Sequence, residues 1–409
     1  MPSPAISAAW LTSSRLRAHG LILALCLWSF YAWNMATPGL RDRSGNLKGT
    51  DFLHFYVLGS LALQHNGADL YDMDAQAGVA IQRVPAAAGI RYLPLYPPQV
   101  SLFFAPLARL SYGYALACWA FLSLLIYVLC CYTLWRACPS LGQQHWAVLV
   151  LAIAFPGFFH AIAWGQTSVL ALACFTLLFF SLRGQRAFLA GLVLGCLIFK
   201  PQLGLASAVV FISVRAWKVV AGALLSAAVQ LGAAWLYYGA EPLRTWSRTF
   251  LHLRDVLPLL EPKPYWTHSL RTFWAMLFAL PRLSFSLYVL SAAAVLAVTI
   301  TCWRRSTPLP LRYSLLLFAT ALVSPHLTIY DLVILAPAFL LLADWIMSQL
   351  PIGMSRRLAA LLYFAYFLPL LGPLDTWTHL QLSILAMSGI VYVLWRIAAT
   401  HGEITHIRV

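Results

Sequence analysis

Charge is scarce in this 409-residue chain: only 10% of its residues are charged, and 12 are Asp or Glu. Soluble proteins carry about 25% charged residues, so the shortage excludes an ordinary soluble globular protein, a disordered chain and a coiled coil. Nucleotide and metal signatures are also lacking. There is no Walker glycine loop, no dinucleotide glycine fingerprint, no HExxH and no paired-Cys motif, so no ATP-driven or metal-hydrolase chemistry is legible. The eight Cys show no metal-ligand spacing; seven sit inside apolar runs and Cys138 lies just past one. They are packing residues and not a disulfide framework.

What the chain has in abundance is apolar residue: 61% of it is hydrophobic and its mean hydropathy is +0.78. Each helical crossing of a bilayer takes roughly 20 largely apolar residues. Apolar runs fall at 21–35, 112–135, 145–163, 167–182, 187–199, 201–214, 219–238, 284–303, 311–325, 329–346, 358–373 and 379–396. The pattern predicts an all-α polytopic membrane protein, a single membrane domain over 1–409 with about 12 transmembrane helices. Pro201 divides two runs that are short for spanning, so 187–199 and 201–214 read as a tilted or broken pair.

The first run follows Arg15, Arg17 and His19, which is the outline of a signal peptide. No small-x-small site closes it, and the expectation is an uncleaved first span with a cytoplasmic N-terminus. Alternate connections then collect positive charge: Arg136, Arg183 with Arg186, Arg215 with Lys218, Arg304 with Arg305, Arg356 with Arg357, and Arg396 with Arg408. Positive charge marks cytoplasmic loops. The net charge of +15 is therefore read as topology and not as a nucleic-acid partner, and both termini are placed inside a plasma membrane.

Two segments fall outside on this scheme. The first, 37–110, carries Asp42, Asp51, Asp69, Asp72 and Asp74 and is expected to hold amphipathic helices. The second, 239–283, breaks the charge rule with Arg244, Arg248, Arg254, Lys263, Arg271 and Arg282 against Glu241, Asp255 and Glu261. Cations displaced to that side suit an anionic lipid headgroup or a phosphate; a long loop that translocates regardless of charge is the plainer account.

Unusual polar groups outside the basic loops gather on the same predicted face. They include Asp51, His54 and Tyr56, then Tyr71, Tyr96, Gln166, Lys200 with Gln202, and His326 with Asp331. Asp51 opens an amphipathic helix, with Thr50 as its cap and with Phe52, Phe55, Tyr56, Gly59 and Leu63 at helical spacing along the membrane surface. A carboxylate held at the lipid boundary is partly desolvated and more basic, as a general base on a sugar hydroxyl requires; the alternative is a helix-start residue only. Lys200 either meets a phosphate or snorkels to the surface. His326 either donates to a leaving phosphate or satisfies a local carbonyl. Asp69, Asp72 and Asp74 could attract a divalent cation, but an exposed acidic turn is the plainer account, so no metal and no cofactor is assigned.

At these positions the sequence resembles the glycosyltransferase family 87 membrane proteins of the GT-C fold class. The resemblance rests on Asp51-Phe52 with Phe55-Tyr56, Leu70-Tyr71-Asp72, Tyr96-Pro97-Pro98, Ala105-Pro106-Leu107, Gly165-Gln166, Lys200-Pro201, and Ser324-Pro325-His326 with Tyr330-Asp331-Leu332. The last loop lacks the second His that often precedes Tyr-Asp in relatives. The resemblance implies transfer of a sugar, usually mannose, from a polyprenyl monophosphate to a glycan or glycolipid acceptor on the outer membrane face, with Asp51 at the position of the general base. On that scheme Lys200, His326, Arg244, Arg248, Arg254 and Arg271 hold the donor phosphate. His54, Tyr56, Tyr71, Tyr96, Gln166, Gln202 and Asp331 line the substrate, and a one-step displacement inverts the sugar carbon. Two other classes share the outer-face cations: a transporter or flippase of lipid-linked sugars, which wants polar groups deep in the spans, and a polymerase or ligase using a lipid pyrophosphate donor.

Overall fold

Apolar segments in lipid must satisfy their backbone N–H and C=O groups internally. The computed structural model, which describes residues 11–251, 263–305 and 307–406, accordingly shows helices and turns, with two isolated β-bridges the only strand-like pairs among the described residues. In chain order, α1 (Ser13–Met35) leads into a polar segment holding α2 (Thr50–Leu63), α3 (Met73–Arg83) and α4 (Gln99–Phe104). There follow α5 (Tyr112–Arg136), α6 (His145–Ile153), α7 (Pro156–Trp164), α8 (Ser168–Arg183), α9 (Ala187–Gly195), α10 (Pro201–Ser213) and α11 (Trp217–Tyr238). A second polar segment holds α12 (Glu241–Leu251) and α13 (Leu270–Leu277), and the chain ends in α14 (Pro281–Arg304), α15 (Leu309–Val323), α16 (Ala336–Gln349), α17 (Ile352–Phe367), α18 (Gly372–Thr378) and α19 (Leu382–His406).

Eight described helical stretches are long and apolar enough to cross a membrane: Ser13–Met35, Tyr112–Arg136, Pro139–Trp164, Trp217–Tyr238, Pro281–Arg304, Ile329–Gln349, Gly353–Thr378 and Leu382–Ala399. Four of the remaining expected runs are shorter apolar helices, namely α8, Ala187–Phe199, α10 and α15. Burial separates the rim from the centre. Only 11% of the apolar window of α1 is buried inside the protein, against 67% for Ile329–Gln349. The central element is α15, in which every residue from Tyr313 to Val323 is buried. A short helix in that position is matched to its protein neighbours and not to lipid thickness.

Two close approaches fix the centre. A Cβ on Gly191 would sit 2.1 Å from the Val219 carbonyl oxygen, and one on Gly195 2.3 Å from that of Ala223. The pair forms a small-xxx-small stripe that lets α9 lie backbone to backbone on α11. Likewise a Cβ on Gly157 would meet the Val333 backbone nitrogen at 2.5 Å, so α7 can press against the 3-10 turn Ile329–Leu335.

The expectation of an amphipathic α2 along the membrane surface is overturned. Every residue from Phe52 to Ala62 is buried, because Leu53, Val57, Leu58 and Leu61 make the helix apolar all round, and such a helix belongs inside a protein. Nor does Thr50 cap it: its hydroxyl donates to the Leu47 carbonyl at 2.7 Å, and the N-cap is Gly49 with φ of +65°. The amphipathic helix of this segment is α3, which buries Gln76 and Ala80 and takes Asp72 as its cap.

The α9–α11 contact yields a first prediction. Gly191→Leu should overpack the seam and destabilise the protein by about 1–3 kcal/mol or more, read as a lowered thermal aggregation midpoint in detergent. Gly204→Leu, where nothing but the Leu197 Cβ at 3.9 Å would be met, should leave that midpoint nearly unchanged.

Candidate active site

The residues singled out in the sequence come together at one end of the bundle through three local devices. The first is the turn after α7, where Gly165 adopts φ of +72° and a Cβ would lie 2.6 Å from the Phe52 Cβ. Glycine is required there on both counts, and the turn sets Gln166 against the start of α2. The second is the break after the 3-10 turn Cys196–Phe199, where Lys200 leaves helical geometry and Pro201 starts α10 at its first position. The third is a capping box in which Thr328 and Asp331 bond each other's backbone, fixing the Asp331 carboxylate.

Lys200 and Asp331 form a buried ion pair at 2.8 Å, with side chains 4% and 2% exposed. The Lys200 ammonium also donates to Ser168 Oγ at 3.1 Å and to Gln166 Oε1 at 3.3 Å, and lies 4.9 Å from the centre of the Tyr330 ring. Ser168 Oγ in turn donates to Asp331 Oδ1 at 2.6 Å. An ammonium has three hydrogens, and three protein acceptors take them. In this arrangement Lys200 is an internal pin, with its three hydrogens on protein acceptors.

Gln166 passes that order on to Asp51. Its amide N–H donates to Asp51 Oδ2 at 2.7 Å while its oxygen faces the lysine. Turning the amide over would set its NH2 against an ammonium and its oxygen against a carboxylate, so the two charges dictate its orientation. Asp51 itself is half-buried. Desolvation raises its carboxyl to about 6, against the lowering influence of the Gln166 hydrogen bond and the Lys200 charge. Surrounding protein by itself supplies this desolvation.

The other candidates divide. His54 is buried and stacks on Tyr92 with ring centroids 4.8 Å apart; burial pushes its imidazole down to about 3, so it is neutral. Tyr96 lies edge-on to His54 at 5.6 Å, and the Tyr71 hydroxyl donates to the Tyr96 carbonyl at 3.1 Å. His326 Nε2 is 3.4 Å from Thr328 Oγ1, and Arg271 Nε donates to the Pro325 carbonyl from α13, so both contact the segment that leads into the Asp331 turn. Gln202 is half-buried on the first turn of α10. Tyr56, by contrast, is committed to packing: its hydroxyl donates to the Leu110 carbonyl at 2.8 Å and accepts from Arg83 at 3.0 Å. Arg244 and Arg248 lie on α12 at 3.8 and 4.0 Å from the Glu241 carboxylate, and Trp246 ties this helix to the Leu95 carbonyl beside Tyr96 at 3.1 Å. Arg254 lies outside the described residues. In the acidic turn, Asp72 caps α3, Asp74 pairs with Arg91 and Asp69 accepts from Asn66.

Sequence reading missed the aromatic surroundings. Trp164 contacts Tyr330 and Trp266 with centroids 5.5 and 5.7 Å apart. Thr267 bridges to Thr328, and the His268 amide donates to the Leu327 carbonyl at 2.7 Å. Trp164 adjoins Gly165-Gln166 and Tyr330 adjoins Asp331, which is the signal that was available.

Breaking a buried pair by removing one partner costs about 3–5 kcal/mol, whereas replacing both by apolar groups is often neutral. Lys200→Met and Asp331→Leu should each lower the thermal midpoint in detergent strongly, and the double variant should recover most of the loss. Equal midpoints for single variants and wild type would remove the pin.

The model of glycosyltransferase family 87 matches residues 95–325, more than half of the 409-residue chain. No curated protein and no solved structure matches the chain. The matched stretch contains Tyr96, Gln166 and Lys200, while Asp51 and Asp331 flank it and join the same network. With apolar helices of spanning length and more than half its length within the family pattern, the chain belongs to glycosyltransferase family 87, a family of membrane glycosyltransferases.

Proposed function

We propose that the protein transfers a sugar, mannose in the first instance, from a polyprenyl monophosphate donor to an acceptor hydroxyl on the outer face of the plasma membrane. Its chain crosses the membrane twelve times in a GT-C arrangement, the shorter helices α8, α9, α10 and α15 counting as crossings beside the eight longer stretches. The observation that carries the reading is a half-buried carboxylate, Asp51, aligned by Gln166 from the buried Lys200–Asp331 pair.

The chemistry needs few parts. The acceptor O–H gives its proton to the Asp51 carboxylate as its oxygen attacks the sugar carbon. The bond from that carbon to the phosphate oxygen breaks, and the polyprenyl phosphate leaves with the electron pair. A single displacement of this kind inverts the carbon. A carboxyl raised to about 6 is still mostly ionised at pH 7 yet more basic than a solvated aspartate, which is the range in which general-base catalysis is effective. Cations at the phosphate stabilise the departing charge. His326, just before the turn carrying Asp331, and Arg271 of α13, which donates to the neighbouring Pro325 carbonyl, fill that role, with Arg244 and Arg248 of α12 at the approach.

Two outcomes are expected. Asp51→Asn should reduce transfer of labelled mannose from purified polyprenyl-phosphate mannose by about 10²–10⁴-fold while the protein still folds and binds donor. Near-normal turnover would remove Asp51 as the base, and donor movement between leaflets without transfer would favour a flippase. The rate should also fall below pH 6, about tenfold per unit, as Asp51 protonates. Because the Gln166 hydrogen bond holds the Asp51 carboxyl down, Gln166→Leu should move this acid limb to higher pH. An unmoved limb would separate Gln166 from Asp51.

A further inference from the structure

Tryptophan is plentiful in this chain, and most of it has an evident task. Six buried or half-buried indoles donate their N–H to a protein acceptor: Trp28, Trp119, Trp135, Trp246, Trp274 and Trp303. Others are exposed on the flanks of the bundle, such as Trp377 at 83% and Trp217 at 60%, where lipid or its interface receives them. Trp164 and Trp266 fit neither class. Both are half-buried, and among the described residues neither indole N–H has a protein acceptor.

Their placement is specific. Trp164 ends α7 directly before the glycine turn that aims Gln166 at Asp51. Its ring meets Trp266 at 5.7 Å with planes 70° apart, and Tyr330 at 5.5 Å and 68°; Tyr330 carries the Lys200 ammonium on its face. His160 closes the group at 5.3 Å from Trp266. Trp266 is held to the Asp331 turn by the Thr267–Thr328 bridge, and Gln381 donates to the Thr267 carbonyl at 2.7 Å. The rings are thus anchored on backbone from both sides of the polar network, near-perpendicular to each other, with part of their surface uncovered.

We infer that Trp164 and Trp266 form the platform that receives a pyranose ring beside Asp51. The negative face of an aromatic ring attracts the weakly positive C–H edge of a sugar, and a free indole N–H supplies a donor for a sugar hydroxyl. The assignment rests on the transferase reading above and names two residues which that reading does not use. The same chemistry serves a donor sugar or an acceptor sugar.

The test uses the full chain in a detergent without sugar. Saturation-transfer NMR with methyl α-mannopyranoside, methyl α-glucopyranoside and methyl α-galactopyranoside reads which pyranose C–H protons touch aromatic protons. Saturation is expected for at least one of them in wild type and in Asp51→Asn, to fall at least fivefold in Trp164→Leu and Trp266→Leu, and to persist in Trp266→Phe. In steady-state transfer the Leu variants should raise one KM at least tenfold with kcat within threefold. A raised donor KM places the donor sugar on the rings, and a raised acceptor KM places the acceptor there. Saturation absent in wild type, or equal in wild type and both Leu variants, overturns the platform even if transfer proceeds. Saturation with the expected variant pattern but no transfer by wild type upholds the platform and sinks the transferase reading instead.

Discussion

The buried ion pair between Lys200 and Asp331 is the constraint on which this end of the molecule depends. Taking two charges out of water costs several kcal/mol per ion, and their attraction offsets that only when the remaining hydrogens and lone pairs are matched. Here they are. The three ammonium hydrogens go to Gln166, Ser168 and Asp331, and the second carboxylate oxygen accepts from the Thr328 amide at 3.3 Å. The groups come from the start of α8, the break before α10 and the turn after α15. Those pieces must therefore meet at one point or leave a charge stranded, which makes the pair a register mark for the whole bundle end.

From that pin the order propagates by a short electrostatic argument. The lysine fixes the Gln166 oxygen, the fixed amide presents its N–H to Asp51, and the carboxylate is held without being neutralised by a direct salt bridge. A direct lysine contact would drive the carboxyl down and weaken it as a base. One amide of separation keeps the field of the cation while burial holds the Asp51 carboxyl up. The glycines have the same logic in packing. Gly157 admits the Asp331 turn to α7, and Gly165 admits Gln166 to α2, so backbone contacts set the distances that the charges then use.

How much of this was legible follows from the physics of each signal. Hydropathy finds long apolar stretches because burial in lipid leaves a period-free run of twenty residues, and it found Asp51, Gln166, Lys200 and Asp331 because polar residues at the ends of such runs stand out. It did not find that they meet. Lys200 and Asp331 are 131 residues apart, and one sequence holds no record of that distance closing, so their pairing is not legible. The misreading of α2 had a different origin: attention to Phe52, Phe55 and Tyr56 concealed that Leu53, Val57 and Leu61 complete an apolar cylinder. Trp164 and Trp266 do not stand out in the same way, since tryptophan near a membrane surface normally reports the interface.

A lysine paired with an aspartate presents no net charge, so on the proposed function a phosphate near Asp51 is held by other cations, His326 with Arg271 and the arginines of α12. The α12 arrangement differs in kind from the pin. On α12 two guanidinium groups share one carboxylate, with side chains more than 60% exposed. Exposed pairs of this sort contribute only about 0–1 kcal/mol, so little is lost when an arginine turns to another anion. On the proposed function a buried neutral pair and an exposed cationic helix are complementary: the first would keep the carboxylate aligned through transfer, and the second would give up its weak contact to a charged lipid. That reading places alignment and anion binding on different residues.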